Sequence, residues 1–317
     1  MNKELYIFTL LVASFFIHLV FFGQPKEVVF DEVHYGKHIN DYLNGTFHFD
    51  GHPPLARMSI AGFAKVLGYK PGFDFSHISE KYPDDQYLIL RFLPTLAGTL
   101  VPLVVFLILQ ELGLSLFASF AGGLLLALDN GFLAQSRLLL VDAFLLLYGF
   151  ISVLCYLRYR NHKKKYLLLL AGIFASFAFS VKWTGLSFVA LPVVFEGLDI
   201  ILAVKSGGAG SLKTSGAWFT FTALAVVPFI FYFSIITAYS SILHKSGTGD
   251  AFMSTEYQKT MQGNRYEDDP NVKASSIFDT CKGLKKGESY EFTFNEIGSW
   301  KYHNHLNPGQ QGTVVVE

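Results

Sequence analysis

Seven apolar segments, each near the length of a membrane-crossing helix, limit what this chain can fold into more than any other feature. A helix needs roughly 20 predominantly apolar residues to cross the hydrocarbon core of a bilayer. The third and fifth segments are shorter, so they must be buried or extended by flanking residues. With 51% hydrophobic and 16% charged residues, the sequence predicts an all-α polytopic membrane helix bundle of about seven transmembrane helices. The segments are residues 5–22, 87–110, 114–128, 138–157, 166–181, 184–204 and 217–239.

Two short basic loops predict the orientation of the bundle. Lys and Arg in short loops mark the cytoplasmic side, and "RYRNHKKK" (158–165) and "VKSGGAGSLK" (204–213) share one side when the segments are threaded in order. The N-terminus is then cytoplasmic, while the long loop 24–86 and everything after residue 239 lie outside the cytoplasm. Because no small-residue cleavage site follows the first segment, we expect a retained anchor there rather than a signal peptide.

Charge and cysteine content argue against two further classes of protein. The formal net charge is zero, so no overall basic surface points to nucleic acid. Cys155 and Cys281 lie far apart in the sequence, one inside an apolar segment and one in the tail. No disulfide framework is expected.

Titratable residues crowd the start of the first external loop, in "VVFDEVHYGKHINDYLNGTFHFDGHPPLARM" (28–58). One interpretation of Asp31 and Glu32 is an acidic start to a short interfacial helix over "GKHINDYL", because Asp is a good N-cap. The other is a carboxylate at the lipid boundary, whose partial desolvation makes it basic enough to accept a proton from a hydroxyl. The residues alone leave both interpretations open.

Further along the same loop, "FDGHPPLARM" places Asp50 and His52 before two prolines. Pro53 and Pro54 can begin the helix that "LARMSIAGFAKVL" suggests, so His52 by itself is typical of a capping or packing residue. The carboxylates and histidines here fit no ligand spacing such as His-x-x-x-His. No metal site is therefore expected.

Ionisable residues in or beside apolar segments are candidate functional residues, because they are costly there. "AQSRLLLVDAFLL" holds Arg137 at the outer edge of its segment and Asp142 deeper in it. Arg137 can extend its charge to the interface, whereas Asp142 needs a cation, for which Arg91 and Arg137 are the candidates. Lys182, in "SVKWTGL", either reaches the interface or meets an anionic headgroup or phosphate.

Taken together and in order, these motifs resemble the protein O-mannosyltransferase family, membrane enzymes of the glycosyltransferase C fold. "FDEVHYGKHINDYLNGTFHFDGHPPLARM" resembles the family's first external loop, with Arg57 where the family usually has Lys. "RFLPTLAGTLVPLVVFLIL" is similar to the second helix, "DNGFLAQSRLLLVDAFLLL" to a Ser-Arg-x-x-x-x-Asp segment and "SVKWTGL" to a Val-Lys-x-x-Gly turn. "SGTGDAFMSTEYQKTMQGN" resembles the stretch that follows the seventh helix.

This resemblance implies an inverting transfer of mannose, or a related sugar, from a polyprenyl-phosphate donor to Ser or Thr hydroxyls of extracytoplasmic proteins. Asp31 would be the general base, and Glu32 would belong to the same catalytic pair. Arg137 and Lys182 would stabilise the leaving phosphate. The donor is a substrate, so no cofactor is implied. The residues expected to bind the donor phosphate or shape its site are His52, Arg91, Arg137, Asp142 and Lys182.

The resemblance ends at about Arg265, which predicts a membrane domain over residues 1–264 and a β segment over residues 265–317. The tail alternates apolar and polar residues between Gly-bearing turns. "FNEIGSWKYHNHLNPGQQGTVVV" resembles part of a cupredoxin, the fold of blue-copper proteins. Copper is not expected, because amides stand at the ligand positions. These are Asn271, Asn304, Asn307 and Gln310, with His303 and His305 interpreted as surface or packing residues.

Two alternatives from other classes remain beside the glycosyltransferase. One is a truncated, catalytically silent membrane anchor that binds a partner, since the remaining C-terminal helices of a full mannosyltransferase are missing from this sequence. The other is a membrane-tethered copper protein, which the absent ligands argue against. The sequence leaves open the sugar, the polyprenol, the acceptor, a dimeric state, and whether the chain is a fragment or a chimera.

Overall fold

The computed structural model describes residues 2–205, 214–267, 272–273, 291–294, 297–304 and 307–316. It divides the chain into two compact units, Met1–Leu43 with His52–Tyr239, and Asn44–Gly51 with Ser240–Glu317. The position where the family resemblance ends, between residues 264 and 265, falls inside the second unit.

Helices account for most of the first unit, and two of them belong to the loop between the first two apolar segments. Their bounds are α1 Lys3–Leu19, α2 Glu32–Asn44, α3 Leu55–Val66, α4 Tyr87–Glu111, α5 Leu116–Ala127, α6 Asn130–Ser136, α7 Asp142–His162, α8 Lys165–Phe179, α9 Leu186–Lys205, α10 Thr214–Phe221 and α11 Val227–Ile242. A 3₁₀ turn, Trp183–Gly185, precedes α9, and a π-helical stretch, Thr222–Val226, joins α10 to α11.

The helical fold predicted from the apolar segments is confirmed. Each predicted segment coincides with one helix or with a helical run, the last being Trp218–Ile242. Among the described residues, α4, α7 and this run are long and apolar enough to cross a membrane. Helices α5 and α6 satisfy the same criteria together, as a span bent by 60°. Helix α8 is apolar but shorter, as expected for the fifth segment.

Close helix packing in the first unit depends on small residues. Helix α4 lies against α1, α5 and α7, and α7 lies against α8. A Cβ on Gly98 of α4 would collide with Ser136, and one on Gly172 of α8 would collide with the backbone oxygen of Ala223. Small residues of this kind let the backbones of membrane helices approach closely. Such packing matters in a bilayer because the lipid tails are as apolar as the helices, so the hydrophobic effect does not drive the helices together.

The helices of the first external loop begin where the sequence predicts. Helix α2 starts at Glu32, directly after Asp31, and buries Tyr35, Ile39 and Tyr42 along one face. Helix α3 starts after Pro54, which lacks a backbone N–H and so costs the first turn nothing. Both helices therefore hold the polar residues that precede them at defined places.

The second unit contains a turn, a short helix and a small sheet. Asp250 closes the turn by accepting hydrogen bonds from Gly247 N at 2.9 Å and Asn264 Nδ2 at 2.7 Å. Helix α12, Thr255–Lys259, follows with Ser254 as its N-cap. The strands are β1 Val272–Lys273, β2 Gly298–Asn304 and β3 Asn307–Val316, with β1 parallel and β3 antiparallel to β2.

The small C-terminal β segment is confirmed, but its cupredoxin likeness stays a prediction. Asn271, Cys281 and His305 lie outside the described residues, and so do the side chains of His303, Asn304, Asn307 and Gln310.

Candidate functional site

Asp31 lies at the last position of a tight turn that leads into α2. The preceding residue, Phe30, has a φ of 50°, a left-handed conformation that is uncommon for a bulky side chain. The backbone oxygen of Asp31 accepts hydrogen bonds from His34 N at 2.9 Å and Tyr35 N at 3.0 Å, which begin the helix. Its carboxylate is half-buried and, in the part of the chain that the structure describes, accepts no hydrogen bond and forms no salt bridge.

The next residue, Glu32, explains why this turn is held in place. Its buried carboxylate accepts five hydrogen bonds. Two come from Nε and Nη2 of Arg91, both at 2.7 Å, in a bidentate pair. The others come from Val29 N at 2.8 Å, Leu139 N at 2.8 Å and the Tyr82 hydroxyl at 3.2 Å.

Arg91 is as fully engaged as its partner. Its remaining hydrogen bonds go to the backbone oxygens of Pro25 at 2.8 Å and Glu27 at 2.9 Å. The guanidinium also lies over the rings of Tyr82 and Tyr87, 5.3 and 5.0 Å from their centroids. Through these bonds Arg91 holds α4 against residues 25–32, the segment that carries Asp31.

This geometry changes the roles expected for both residues. The side chains of Glu32 and Arg91 are 0% exposed, so neither can touch a substrate. The expected catalytic role of Glu32 and the expected phosphate contact of Arg91 both require access that these side chains lack. They are positioning residues for the Asp31 turn.

Asp142 pairs with a cation other than the two predicted for it. Its carboxylate accepts a hydrogen bond from Lys182 Nζ at 2.7 Å, and both side chains are partly exposed. The expectation that Arg91 or Arg137 would pair with Asp142 is wrong, because Arg91 is committed to Glu32. The pair joins the start of α7 to the turn before α9.

His52 lies beside this pair because α3 is tied to the same turn. Leu55 N, in the first turn of α3, donates to the backbone oxygen of Ser180 at 2.9 Å. Arg57, 1% exposed, donates from Nη2 to the backbone oxygen of His52 at 2.6 Å. These contacts fix the backbone of His52, the first residue of the first unit's second segment.

His52 lies within electrostatic range of three charged residues. Burial lowers the pKa of the His52 imidazole, and the Lys182 ammonium lowers it further, while Asp142 and Asp31 oppose both effects. Burial likewise raises the pKa of Tyr35 to about 12, with Arg57 opposing and the two carboxylates adding to it. Asp31, Asp142 and Lys182 therefore all act electrostatically on His52, and we refer to these four residues as the Asp31 cluster.

Arg137 bonds to the end of α1, and its contact with the donor phosphate stays a prediction. Its Nε donates to the backbone oxygen of His18 at 3.1 Å, and Nη2 donates to the backbone oxygen of Ile17. These oxygens lie in the last turn of α1, where cations are favoured. Arg137 thus caps α1, and Lys182 is the cation that belongs to the Asp31 cluster.

Two further positioning residues, Tyr82 and Arg57, were not predicted from the sequence. Tyr82 stacks on Tyr87 with ring centroids 4.3 Å apart and donates its hydroxyl to Glu32. Arg57, which stands where the family usually has Lys, donates to the backbone oxygens of His52 and Pro53 before α3. Both residues lie in a long external loop that is rich in aromatic and basic residues, and this richness is the sequence feature that could have identified them.

Comparisons with known proteins agree with the resemblance. A sequence profile of the family described as dolichyl-phosphate-mannose-protein mannosyltransferase matches residues 8–244. Protein O-mannosyltransferase 1 of Drosophila melanogaster is 32% identical over 269 residues, which cover 82% of this chain and 30% of that protein. Dolichyl-phosphate-mannose–protein mannosyltransferase 4 of Saccharomyces cerevisiae is 34% identical over 256 residues, covering 75% of this chain and 33% of that protein.

The fold is shared with a solved complex. The structure of the S. cerevisiae protein O-mannosyltransferase Pmt1-Pmt2 complex bound to the sugar donor matches with a TM-score of 0.79 and 28% identity. The match covers 84% of this chain and 37% of that chain. This chain thus spans about a third of the length of the relatives it matches. It is an integral membrane protein, and it belongs to the dolichyl-phosphate-mannose–protein mannosyltransferase family.

Proposed function

We propose that this protein transfers mannose, or a related sugar, from a polyprenyl-phosphate donor to Ser or Thr hydroxyls of acceptor proteins. The observation that carries the proposal is the Asp31 cluster. It combines a half-buried carboxylate that has no hydrogen-bond partner among the described residues with a partly exposed Lys182–Asp142 pair. The reaction requires a proton acceptor beside the attacking hydroxyl and a cation beside the departing phosphate.

Asp31 acts as the general base of the proposed reaction. The acceptor hydroxyl gives its proton to the Asp31 carboxylate while its oxygen forms a bond to the anomeric carbon. The bond between that carbon and the phosphate oxygen breaks, and its electron pair leaves on the phosphate. Because attack and departure occur on opposite faces of the sugar, the anomeric configuration inverts. A well-placed base contributes about 10²- to 10⁴-fold to such a rate.

Lys182 stabilises the departing phosphate. An ammonium group has three donors, and one of those on Lys182 is used by Asp142 at 2.7 Å. The other two can be directed at phosphate oxygens as their charge increases. Asp142 fixes the ammonium in place, so that little reorganisation is needed when charge develops. Burial and the Lys182 ammonium lower the pKa of His52, and its neutral imidazole supplies a hydrogen-bond donor to the site.

The orientation and assembly of the protein follow from the same proposal. The N-terminus and the basic loop 158–165 face the cytoplasm, and the Asp31 cluster, together with the chain after residue 239, faces the opposite side. A second subunit is proposed because the solved relative is a complex of two such proteins. The reaction is proposed to need no cofactor and no metal, so transfer should withstand a chelator such as EDTA.

The experiment uses the purified full chain in phosphatidylcholine nanodiscs, with dolichyl-phosphate-linked radiolabelled mannose and a Ser/Thr-bearing peptide. We expect label on the peptide hydroxyl, with the anomeric configuration opposite to that of the donor. A matched peptide with Ala at every Ser and Thr should receive none. Folded protein that transfers no sugar would contradict the proposal and favour the silent membrane anchor, while a retained configuration would contradict the mechanism.

A further inference from the structure

The loop between the first two apolar segments contains a motif that the proposed reaction does not use. Asn44, Gly45 and Thr46 read Asn-Gly-Thr, and no other Asn in the chain has Ser or Thr two residues after it. Asn-x-Ser/Thr, with any residue except Pro in the middle, is the acceptor sequence for N-linked glycosylation. Because so short a motif often occurs by chance, its structural setting decides whether Asn44 can carry a glycan.

Asn44 lies where a helix ends and the chain turns. It is the last residue of α2 and is exposed. Gly45 follows with a φ of 74°, the left-handed conformation that commonly terminates a helix. Lys245 Nζ donates to the backbone oxygen of Asn44 at 2.9 Å, so this terminal carbonyl does not depend on the Asn44 side chain. The turn therefore needs nothing from the amide that would be modified.

The two side chains that define the motif are both available. Among the described residues, neither the Asn44 amide nor the Thr46 hydroxyl has a hydrogen-bond partner. The Thr46 methyl group packs against Gly247, with Cγ2 only 2.7 Å from the place that a Cβ on this glycine would take. N-linked glycans are attached to the chain before it folds, so the fold has only to accommodate the product. A glycan on the exposed Asn44 amide breaks no hydrogen bond between described residues.

We propose that Asn44 carries an N-linked oligosaccharide. The donor is an oligosaccharide on a polyprenyl diphosphate, and a separate oligosaccharyltransferase catalyses the step. Asn44 Nδ2 loses one proton to a base of that enzyme and forms a bond to the anomeric carbon of the oligosaccharide. The bond between this carbon and the diphosphate oxygen breaks, and its electron pair leaves on the diphosphate. The inference rests on the proposed orientation, because such an enzyme acts on the extracytoplasmic side of the membrane.

The test is translation of the full chain in microsomes that contain an oligosaccharyltransferase. We expect a band of lower mobility that peptide N-glycosidase removes, leaving an aspartate at position 44 that mass spectrometry detects. Asn44→Gln should abolish the shift. Thr46→Val keeps the methyl group that packs against Gly247 but removes the hydroxyl, and it should abolish the shift too. Thr46→Ser, which retains the hydroxyl, should keep it.

Two engineered motifs, each placed in the Asn44→Gln background, report the orientation separately. His77→Asn creates Asn-Ile-Ser over residues 77–79 of the same loop, at an exposed side chain. Lys163→Thr creates Asn-His-Thr over residues 161–163, in the basic loop assigned to the cytoplasm. The proposed orientation predicts a glycan on the first variant and none on the second.

A wild-type protein without an N-glycosidase-sensitive shift would overturn the Asn44 proposal. If His77→Asn is then glycosylated, the orientation stands; if Lys163→Thr is glycosylated instead, the orientation is wrong as well. A shift that resists N-glycosidase and persists in Asn44→Gln would be an O-linked sugar and would also overturn the proposal.

The glycan and the proposed reaction can fail independently. Asn44 takes no part in mannose transfer, so Asn44→Gln should keep the wild-type transfer rate in nanodiscs. A wild-type protein that carries the Asn44 glycan but transfers no mannose would overturn the proposed function alone.

Discussion

Glu32 is a residue whose value to the site is structural. Replacing Glu32 with Gln leaves the buried Arg91 guanidinium without a counter-charge, and breaking such a pair costs about 3–5 kcal/mol. We expect a loss of that size in the free energy of unfolding, measured by chemical unfolding in detergent, together with loss of transfer. Asp85→Asn, which breaks the exposed pair between Lys26 and Asp85 in the same loop, should have no measurable effect. Equal stability of the two variants would contradict the positioning role.

His52 gives the site a definite pH dependence. Its pKa in the folded protein is lowered from the usual value of 6.5, so the unfolded chain takes up this proton first as pH falls. Stability from the neutral imidazole is full above pH 6.5 and is lost as pH falls through that value towards the folded pKa. We expect stability to decline less steeply below pH 6.5 in His52→Asn than in the wild type, measured by thermal unfolding. Identical declines would show that His52 is not perturbed.

Sequence could identify the polar residues of the site but not their pairing. Asp31, His52, Asp142 and Lys182 stand out because titratable residues are costly near a membrane. Which cation meets Asp142 depends on how α3, α7 and the turn before α9 pack. Both Arg91 and Arg137 were candidates by their place in the sequence, yet tertiary packing commits Arg91 to Glu32 and Arg137 to the end of α1.

The turn that carries Lys182 packs so closely against α8 that Gly185 has no room for a side chain. A Cβ on Gly185 would collide with the backbone of Ala178 and Phe179, at the end of α8. Gly185→Ala should therefore displace this turn and lower both stability and transfer. Gly197→Ala, where nothing lies within 4 Å of the added methyl group, should be neutral or stabilising by roughly 0.5–1 kcal/mol. Normal transfer in Gly185→Ala would contradict the role of this turn.

The helices themselves could be predicted from the sequence because the signal is local. An apolar run of membrane length has few alternatives to a helix, since its backbone groups must bond internally in lipid. The predicted segment 87–110 accordingly coincides with α4, Tyr87–Glu111. Finer features depend on contacts between distant residues. The π-helical stretch Thr222–Val226 and the bend between α5 and α6 have no such local signal.

At the scale of the whole molecule, the proposed orientation has a direct test. Cys155 and Cys281 are first replaced by Ser, and a single cysteine is then introduced at Asp74 or at Lys163, both loop positions. In sealed vesicles of known orientation, a membrane-impermeant thiol reagent should label Asp74→Cys from the extracytoplasmic side and Lys163→Cys from the cytoplasmic side. The reverse pattern would place the Asp31 cluster in the cytoplasm.

The division into two units was not apparent from the sequence. The resemblance ends near Arg265, but the stretch from Ser240 and the segment Asn44–Gly51 are compact with the C-terminal strands. Backbone bonds such as Phe47 N to Lys245 O, at 2.8 Å, join these distant parts of the chain. That the tail binds no copper is still a prediction. Metal analysis of the purified protein would test it.

The most direct test of the account is the Asp31→Asn variant in the transfer assay with lipid-linked mannose. Asn is nearly isosteric with Asp but cannot accept the proton, so we predict a rate lower by at least about 10²-fold, with unchanged thermal stability. Asp74→Asn, which changes an exposed carboxylate of the same loop, should keep the wild-type rate. Transfer by Asp31→Asn within a few-fold of wild type would contradict the assignment of Asp31 as the general base.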